Sequence, residues 1–208
     1  QDNTEVFAEG SFTTQKLWQY REDPPNFKFA IGSCTYFNDA AYDRPAKPYG
    51  KGDVIFSSIL KQQPEAMLWL GDNIYLRESD WTSRSGIMYR YTHYKSQEAL
   101  QKLWKSMHHY AIWDDHDFGP NDANRSFVHK NFTKEAFDLF WANPNSGILD
   151  GKGISNQFSY NDIDFFLLDN RTYRSPNDRI SGKREILGKE QIHWLIDISG
   201  YFVAERQF

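Results

Sequence analysis

The side chains best suited to chemistry fall in four short stretches: Ser33-Cys34, Gly71-Asp72-Asn73-Ile74-Tyr75, Trp113-Asp114-Asp115-His116-Asp117 and Leu168-Asp169-Asn170-Arg171-Thr172-Tyr173-Arg174. Carboxylates gathered in one place raise one another's pKa unless a cation neutralises them. Carboxylate and amide oxygens suit hard ions such as Ca²⁺, Mg²⁺ and Mn²⁺, whereas a thiolate or phenolate suits Fe or Zn. A mixed set of Cys, Tyr, Asp and Asn therefore points to two unlike metals. Two metals roughly 3.5–4 Å apart can clamp a phosphoryl group and ready a hydroxide to attack phosphorus in line.

Each stretch also has a plainer reading. Asp72 could bridge two metals with Tyr75 three residues on, but Gly-Asp also makes an ordinary capped turn. Asp115 could hold a metal, and His116 could contact phosphate or protonate a leaving oxygen; a solvated acidic loop is the alternative. Arg171 and Arg174 could grip phosphate oxygens by paired hydrogen bonds, or could pair with local carboxylates. Asn73 joins them as a candidate substrate contact. Cys34 alone reads as a small buried hydrophobe as readily as a ligand.

The joint case rests on the elements that must position these residues. Phe27–Ser33, Met67–Leu70 and Tyr110–Trp113 read as short buried strands. Gln157–Tyr160 and Phe165–Leu168 read as a hairpin around Asn161-Asp162, ending at Asp169. Helices are expected over Val54–Gln62, capped by Asp53, over Gln97–His108, over Thr133–Trp141 and over Leu187–Ile196. Residues 77–92 are polar and Arg-rich without clear periodicity. The Tyr-, Trp- and Arg-containing segments 35–51 and 77–96 fit pocket-lining or packed loops equally well. Helices alternating with strands predict an α/β chain with helices packed on a sheet. Ligands in such sheets bind at the carboxyl ends of strands. Four predicted strands deliver Cys34, Asp72, Asp114-Asp115-His116 and Asp169 there.

Composition narrows the partners. The 208 residues carry a formal charge of −4 and no long basic run, which argues against a nucleic-acid partner. Aromatics at 17% exclude a disordered chain. No stretch approaches the length and apolarity of a membrane span. Cys34 is the single cysteine, so no internal disulfide can form. Oligomeric state leaves no trace. Residues 1–26, ending in Asp23-Pro24-Pro25-Asn26, are expected to form an N-terminal arm or peripheral strand before a domain over 27–208.

With Ala30-Ile31-Gly32-Ser33-Cys34, Leu70–Tyr75, Trp113–Asp117, Leu168–Arg174 and Leu187-Gly188-Lys189-Glu190-Gln191 taken in order, the chain resembles the PhoD-like alkaline phosphatases, a branch of the metallophosphoesterases. The likeness looks strongest to Bacteroidetes-type members. It implies a two-layer β core flanked by helices, an exported (periplasmic or secreted) enzyme, and hydrolysis of phosphate esters, mono- or diester. It further implies an iron held by Cys34, Asp72 and Tyr75. A second metal, calcium in the family, would be shared by Asp72 and held by Asp115, with Asn121 a weaker candidate. His116 and Arg171 would act on the phosphate. The family pattern continues into a Gly-Asp-x-His motif, which does not follow Leu195 here. The resemblance therefore implies a domain without its C-terminal part, with a junction after Asp197. A non-catalytic binding or structural protein on the same fold is the rival expectation.

Overall fold

The computed structural model describes residues 12–43, 45, 54–145, 147–148 and 151–205, with no account of the side chains of 202–205. The Asp53 cap lies outside these residues, as do residues 1–11 of the arm. Residues 12–26 run as turn and coil, with Arg21 and Glu22 N–H groups on the Trp18 carbonyl.

The elements are β1 (Phe29–Gly32), α1 (Val54–Lys61), β2 (Ala66–Leu70), α2 (Arg84–Lys95), α3 (Glu98–Trp104), β3 (His108–Ile112), α4 (Asp115–Phe118), α5 (Lys130–Phe140), β4 (Asn156–Tyr160), β5 (Ile163–Leu167) and α6 (Lys189–Glu205). β1, β2 and β3 form a parallel sheet in that order, with Ile31 beside Leu68 and Leu68 beside Tyr110. β4 and β5 form the antiparallel hairpin. Asn161 turns it at a positive φ of 51°, a conformation asparagine tolerates, and its amide donates to the Pro25 carbonyl.

Period-two alternation divides the sheet between two cores. Phe29, Leu68, Tyr110 and Ile112 face the hairpin, where Tyr110 stacks on Phe158 at 3.8 Å and Phe158 on Phe165 at 4.9 Å. Ala30, Met67, Trp69 and Ala111 face the helices and meet Ile87, Tyr91, Leu100, Leu103 and Phe137. The mixed α/β fold with helices packed on a sheet is what the alternation of strands and helices predicts, and the hairpin covers the sheet's other face. The high aromatic content is largely consumed by these two cores.

Three expectations change. Residues 84–95 form α2, whose Ser83 cap accepts the Gly86 N–H. Its buried face is Ile87, Arg90, Tyr91 and Tyr94, at helical i, i+3, i+4, i+7 spacing. Arg90 at a core position breaks the apolar pattern. It is fully buried and neutralised by Asp80 at 2.7 Å and Asp39 at 3.0 Å. The helix expected over Gln97–His108 ends at Trp104, because His108 already pairs beside Ala66 as the first residue of β3. The last helix passes straight through Asp197 to Glu205.

A lysine lies inside the helix-side core. Lys95 Nζ sits 3.9 Å from the Trp104 ring centroid and 3.1 Å from that of Trp141. Burial pulls its ammonium down to about 7, against the pull of the indole faces for a cation. Beside it, His109 Nδ1 accepts from Trp69 Nε1 at 3.0 Å, so its Nε2–H donates to the Leu103 carbonyl. Burial holds this neutral imidazole down to about 4.

The lysine generates a pH dependence. Between about pH 7 and the ordinary lysine value of 10.5 the unfolded chain binds a proton that the folded chain does not. Stability should therefore rise with pH through that window. Thermal melts of the wild type should show it, and Lys95→Met should flatten it. An undiminished rise in the variant would exclude Lys95 as its source.

Candidate active site

Three parallel strands release their chains toward one place. Cys34 follows β1, Asp72 follows β2, and Asp114-Asp115-His116 follow β3. The exits are tight. Cys34 and Asp72 adopt positive φ of 58° and 51°, a region costly for non-glycine residues. Cross-bonds hold them there: the Cys34 N–H donates to the Gly71 carbonyl at 3.1 Å and the Thr35 N–H to the Asp72 carbonyl at 2.9 Å. Gly71 itself has φ of 95°, and a Cβ there would come within 2.7 Å of the Asp114 Cβ. Only glycine fits.

The result is a cluster around Asp72. Its Oδ2 receives the Cys34 thiol at 3.8 Å and the Tyr75 hydroxyl at 3.4 Å, and its Oδ1 the His116 backbone N–H at 3.3 Å. Ligand atoms from Asp72, Asp115 and His116 all lie within 4.8 Å of one another. The His116 ring stacks on Tyr75 at 4.6 Å. Burial, then the nearby Asp115 charge, pushes the Asp72 carboxyl up. Burial, then the Asp72 charge, pushes the Tyr75 phenol up as well. The donors therefore resist joint ionisation, and a bound cation would reverse both shifts. Cys34, Asp72, Tyr75, Asp115 and His116 together offer a mixed thiol, phenol, carboxylate and imidazole donor set of the kind that fits a metal.

Arg171 is 6% exposed and engaged with local carboxylates. Its Nε donates to Asp114 Oδ1 at 2.6 Å, its Nη1 to the Ala123 carbonyl at 3.2 Å and its Nη2 to Asp115 at 3.3 Å, with a further Nη2 contact to Asp114. Arg171 thus reaches the cluster through Asp115. Arg174 points elsewhere, to Asn177 at 3.2 Å. Asn121 is exposed and bonds Asp122, whose backbone N–H donates to Asp115 Oδ2 at 2.7 Å. Asn73 is only 3% exposed, and its amide donates to the Ile112 carbonyl at 2.7 Å. That amide ties the end of β2 to β3 instead of lining the cleft.

Two buried carboxylates act from behind. Asp117 accepts the N–H groups of Asn73 and Ile74 on one oxygen, each at 2.9 Å, and that of Asp114 on the other at 3.0 Å. It fixes the second stretch against the third. Burial pushes its carboxyl well up, opposed by these amides.

Asp169, the fourth residue expected at a strand end, turns away from the cluster. It is fully buried, and five donors occupy its oxygens: Trp113 Nε1 at 2.8 Å, the N–H groups of Arg171, Thr172 and Ile154, and the Thr172 hydroxyl. Gln191 seals its backbone, accepting the Asp169 N–H at 2.7 Å and donating to its carbonyl at 2.8 Å. Asp169 and Gln191 therefore position Arg171. Their place in the motifs was visible in the sequence; their role was not.

Residues 35–43 are packed against residues 77–83 and α2, and Tyr36 borders the cluster. Tyr36 meets Tyr75 edge-on at 4.9 Å, and the Arg77 guanidinium lies 4.6 Å over the Tyr36 ring while pairing with Asp43 at 3.1 Å. Burial, then the hydrogen bond with Asp43, pushes the Tyr36 phenol up to about 12.

A family model described as PhoD-like phosphatase matches residues 29–199. A search of curated proteins finds no match. Among solved structures, that of PhoD superposes with a TM-score of 0.66 at 21% identity, over 84% of this chain and 39% of that one. At that identity the likeness speaks for the fold. The chain spans about 39% of the length of that structure.

The Asp169 hub predicts a stability effect separate from chemistry. Asp169→Ala leaves several buried donors without an acceptor, each costing about 1–3 kcal/mol. Urea unfolding should show a loss of more than about 3 kcal/mol with an unchanged slope. A loss under about 1 kcal/mol would mean that the hub does not organise this loop.

Proposed function

The chain belongs to the PhoD-like phosphatase family, and we propose that its strand-end cluster hydrolyses phosphoric esters with two bound metal ions. The convergence of Asp72, Asp115 and His116, with the Cys34 thiol and Tyr75 hydroxyl on the same Asp72 oxygen, carries this reading. Cys34, Asp72 and Tyr75 would hold the softer ion, iron by family likeness. Asp72 and Asp115 would hold the harder one, calcium by the same likeness, with Asn121 at its margin. Metals held there would supply Lewis-acid polarisation and lower the pKa of water.

The chain's own residues do the rest. Asp117 and Asn73 keep Asp72 in register with the Asp114–His116 run. His116, braced by Tyr75, meets a non-bridging phosphoryl oxygen or protonates the leaving alkoxide. Arg171 stabilises negative charge on the phosphoryl group. Its 3.3 Å contact with Asp115 is looser than its 2.6 Å bond to Asp114, so the Asp115 contact is the one a phosphoryl oxygen would replace. Arg174 acts at most from the periphery. Export to the periplasm or beyond goes with the same family reading.

One observation favours the non-catalytic rival. Arg171 is already paired with the carboxylates of Asp114 and Asp115.

Hydrolysis of a chromogenic phosphate monoester decides between them. Activity should vanish with chelator and return with iron plus calcium. Asp72→Asn should lower kcat by at least about 100-fold while leaving the fold intact, since it removes a half-buried charge. Full activity after complete metal removal contradicts the proposal. Less than one metal per chain with no activity supports the non-catalytic reading.

A further inference from the structure

The carboxylate cluster has two unlike sides. On the Asp115 side it meets Arg171, Asp114 and the Asp122 backbone in charged and hydrogen-bonded contacts. On the Tyr75 side it meets a row of rings. His116 stacks on Tyr75 at 4.6 Å, and Tyr36 meets Tyr75 edge-on at 4.9 Å. All three rings are half-exposed, unlike Trp69 and Trp113 in the core. Tyr75 and His116 belong to the cluster itself, so the row starts at the candidate metal ligands.

Tyr36 is the ring that the metal-ligand set does not explain. It lies two residues beyond Cys34. The Thr35 N–H just before it donates to the Asp72 carbonyl at 2.9 Å. The Arg77 guanidinium covers one face of the Tyr36 ring at 4.6 Å. That guanidinium is fixed in turn, donating to the Tyr75 carbonyl at 3.0 Å, the Phe37 carbonyl at 3.4 Å and Asp43 at 3.1 Å. Asp43 also accepts the Tyr36 hydroxyl and neutralises the Arg77 charge. The ring is therefore clamped by its neighbours yet half-exposed beside the cluster. A preorganised ring loses little freedom when a ligand arrives. Its face and edge favour another aromatic group in an offset or edge-on arrangement.

We propose that Tyr36 is a specificity-determining residue of this cluster and selects phosphoric esters whose leaving group carries a planar aromatic ring, the aryl and arylmethyl phosphates. The inference rests on the phosphoester reading of the same cluster. With the phosphoryl group at Asp72 and Asp115, the leaving group lies along Tyr75 and Tyr36. His116, a candidate proton donor to the leaving oxygen, is itself part of that row. The Arg171 side is unsuited to an apolar ring, which would desolvate the charges gathered there.

Isothermal titration of the chain loaded with iron and calcium tests this with three phosphonates that cannot be hydrolysed. Benzylphosphonate should bind at least about tenfold more tightly than methylphosphonate, and at least about threefold more tightly than cyclohexylmethylphosphonate, whose ring is puckered. Tyr36→Leu should bring the benzyl and cyclohexylmethyl affinities within about twofold of each other, whereas Tyr36→Phe keeps the ring and should keep the preference. A crystal structure with benzylphosphonate should place its ring centroid within about 7 Å of that of Tyr36, a check that needs no variant. Four results would each overturn the proposal: no benzylphosphonate binding tighter than about 1 mM, equal affinity for the benzyl and cyclohexylmethyl compounds, a preference unchanged in Tyr36→Leu, or a benzyl ring seated on the Arg171 side. Turnover of benzyl phosphate is measured separately. A Tyr36-dependent binding preference without turnover contradicts the hydrolytic reading and supports aromatic recognition. Turnover of benzyl and cyclohexylmethyl phosphates with equal kcat/KM and no binding preference contradicts aromatic recognition alone.

Discussion

Electrostatic repulsion between acidic side chains at the ends of three parallel strands is the constraint around which the molecule is built. Asp72 and Asp115 lie close enough that burial and mutual charge push Asp72 up. A fold gains nothing from such an arrangement by itself, because isolated carboxylates prefer water. The chain nevertheless pins Cys34 and Asp72 in strained left-handed backbone and spends Gly71 on the close approach to Asp114. Strain of this kind persists only where surrounding structure enforces it, and it gathers at functional sites.

What enforces it is a set of buried polar groups behind the cluster. Asp117 binds the amides of the β2 exit and the β3 exit together. Asp169 gathers Trp113, Ile154, Arg171 and Thr172, and Gln191 closes that knot from α6. On the other side, Arg77 and Arg90 carry charge into the interior to tie residues 36–43 against 75–94. Breaking one partner of such a buried network costs far more than the network's net stabilisation, because it leaves a desolvated group behind. Rigid placement of the cluster is what the network secures.

The strand ends were legible in the sequence because an apolar run followed by Gly, Asp or Cys has few other uses. Cys34, Asp72, Tyr75, Asp115 and His116 were found that way, and the structure brings them together. Asp169 follows the same pattern but turns inward, since only the fold shows that five donors converge on it. Arg90 hid α2, because a charged residue on a buried helical face is invisible to periodicity until its partners Asp39 and Asp80 are placed. The early end of α3 was set by the pairing of His108 with Ala66, a contact between residues far apart in sequence. Local signals fix element type; long-range pairing fixes boundaries and the direction of side chains.

On this reading the charge cluster holds metal. Anomalous scattering from crystals grown with iron and calcium measures that directly. Two metal peaks are expected at Asp72, one toward Cys34 and Tyr75 and one toward Asp115. Crystals with no peak at Asp72 under saturating metal, and with Asp115 still paired to Arg171, would contradict it.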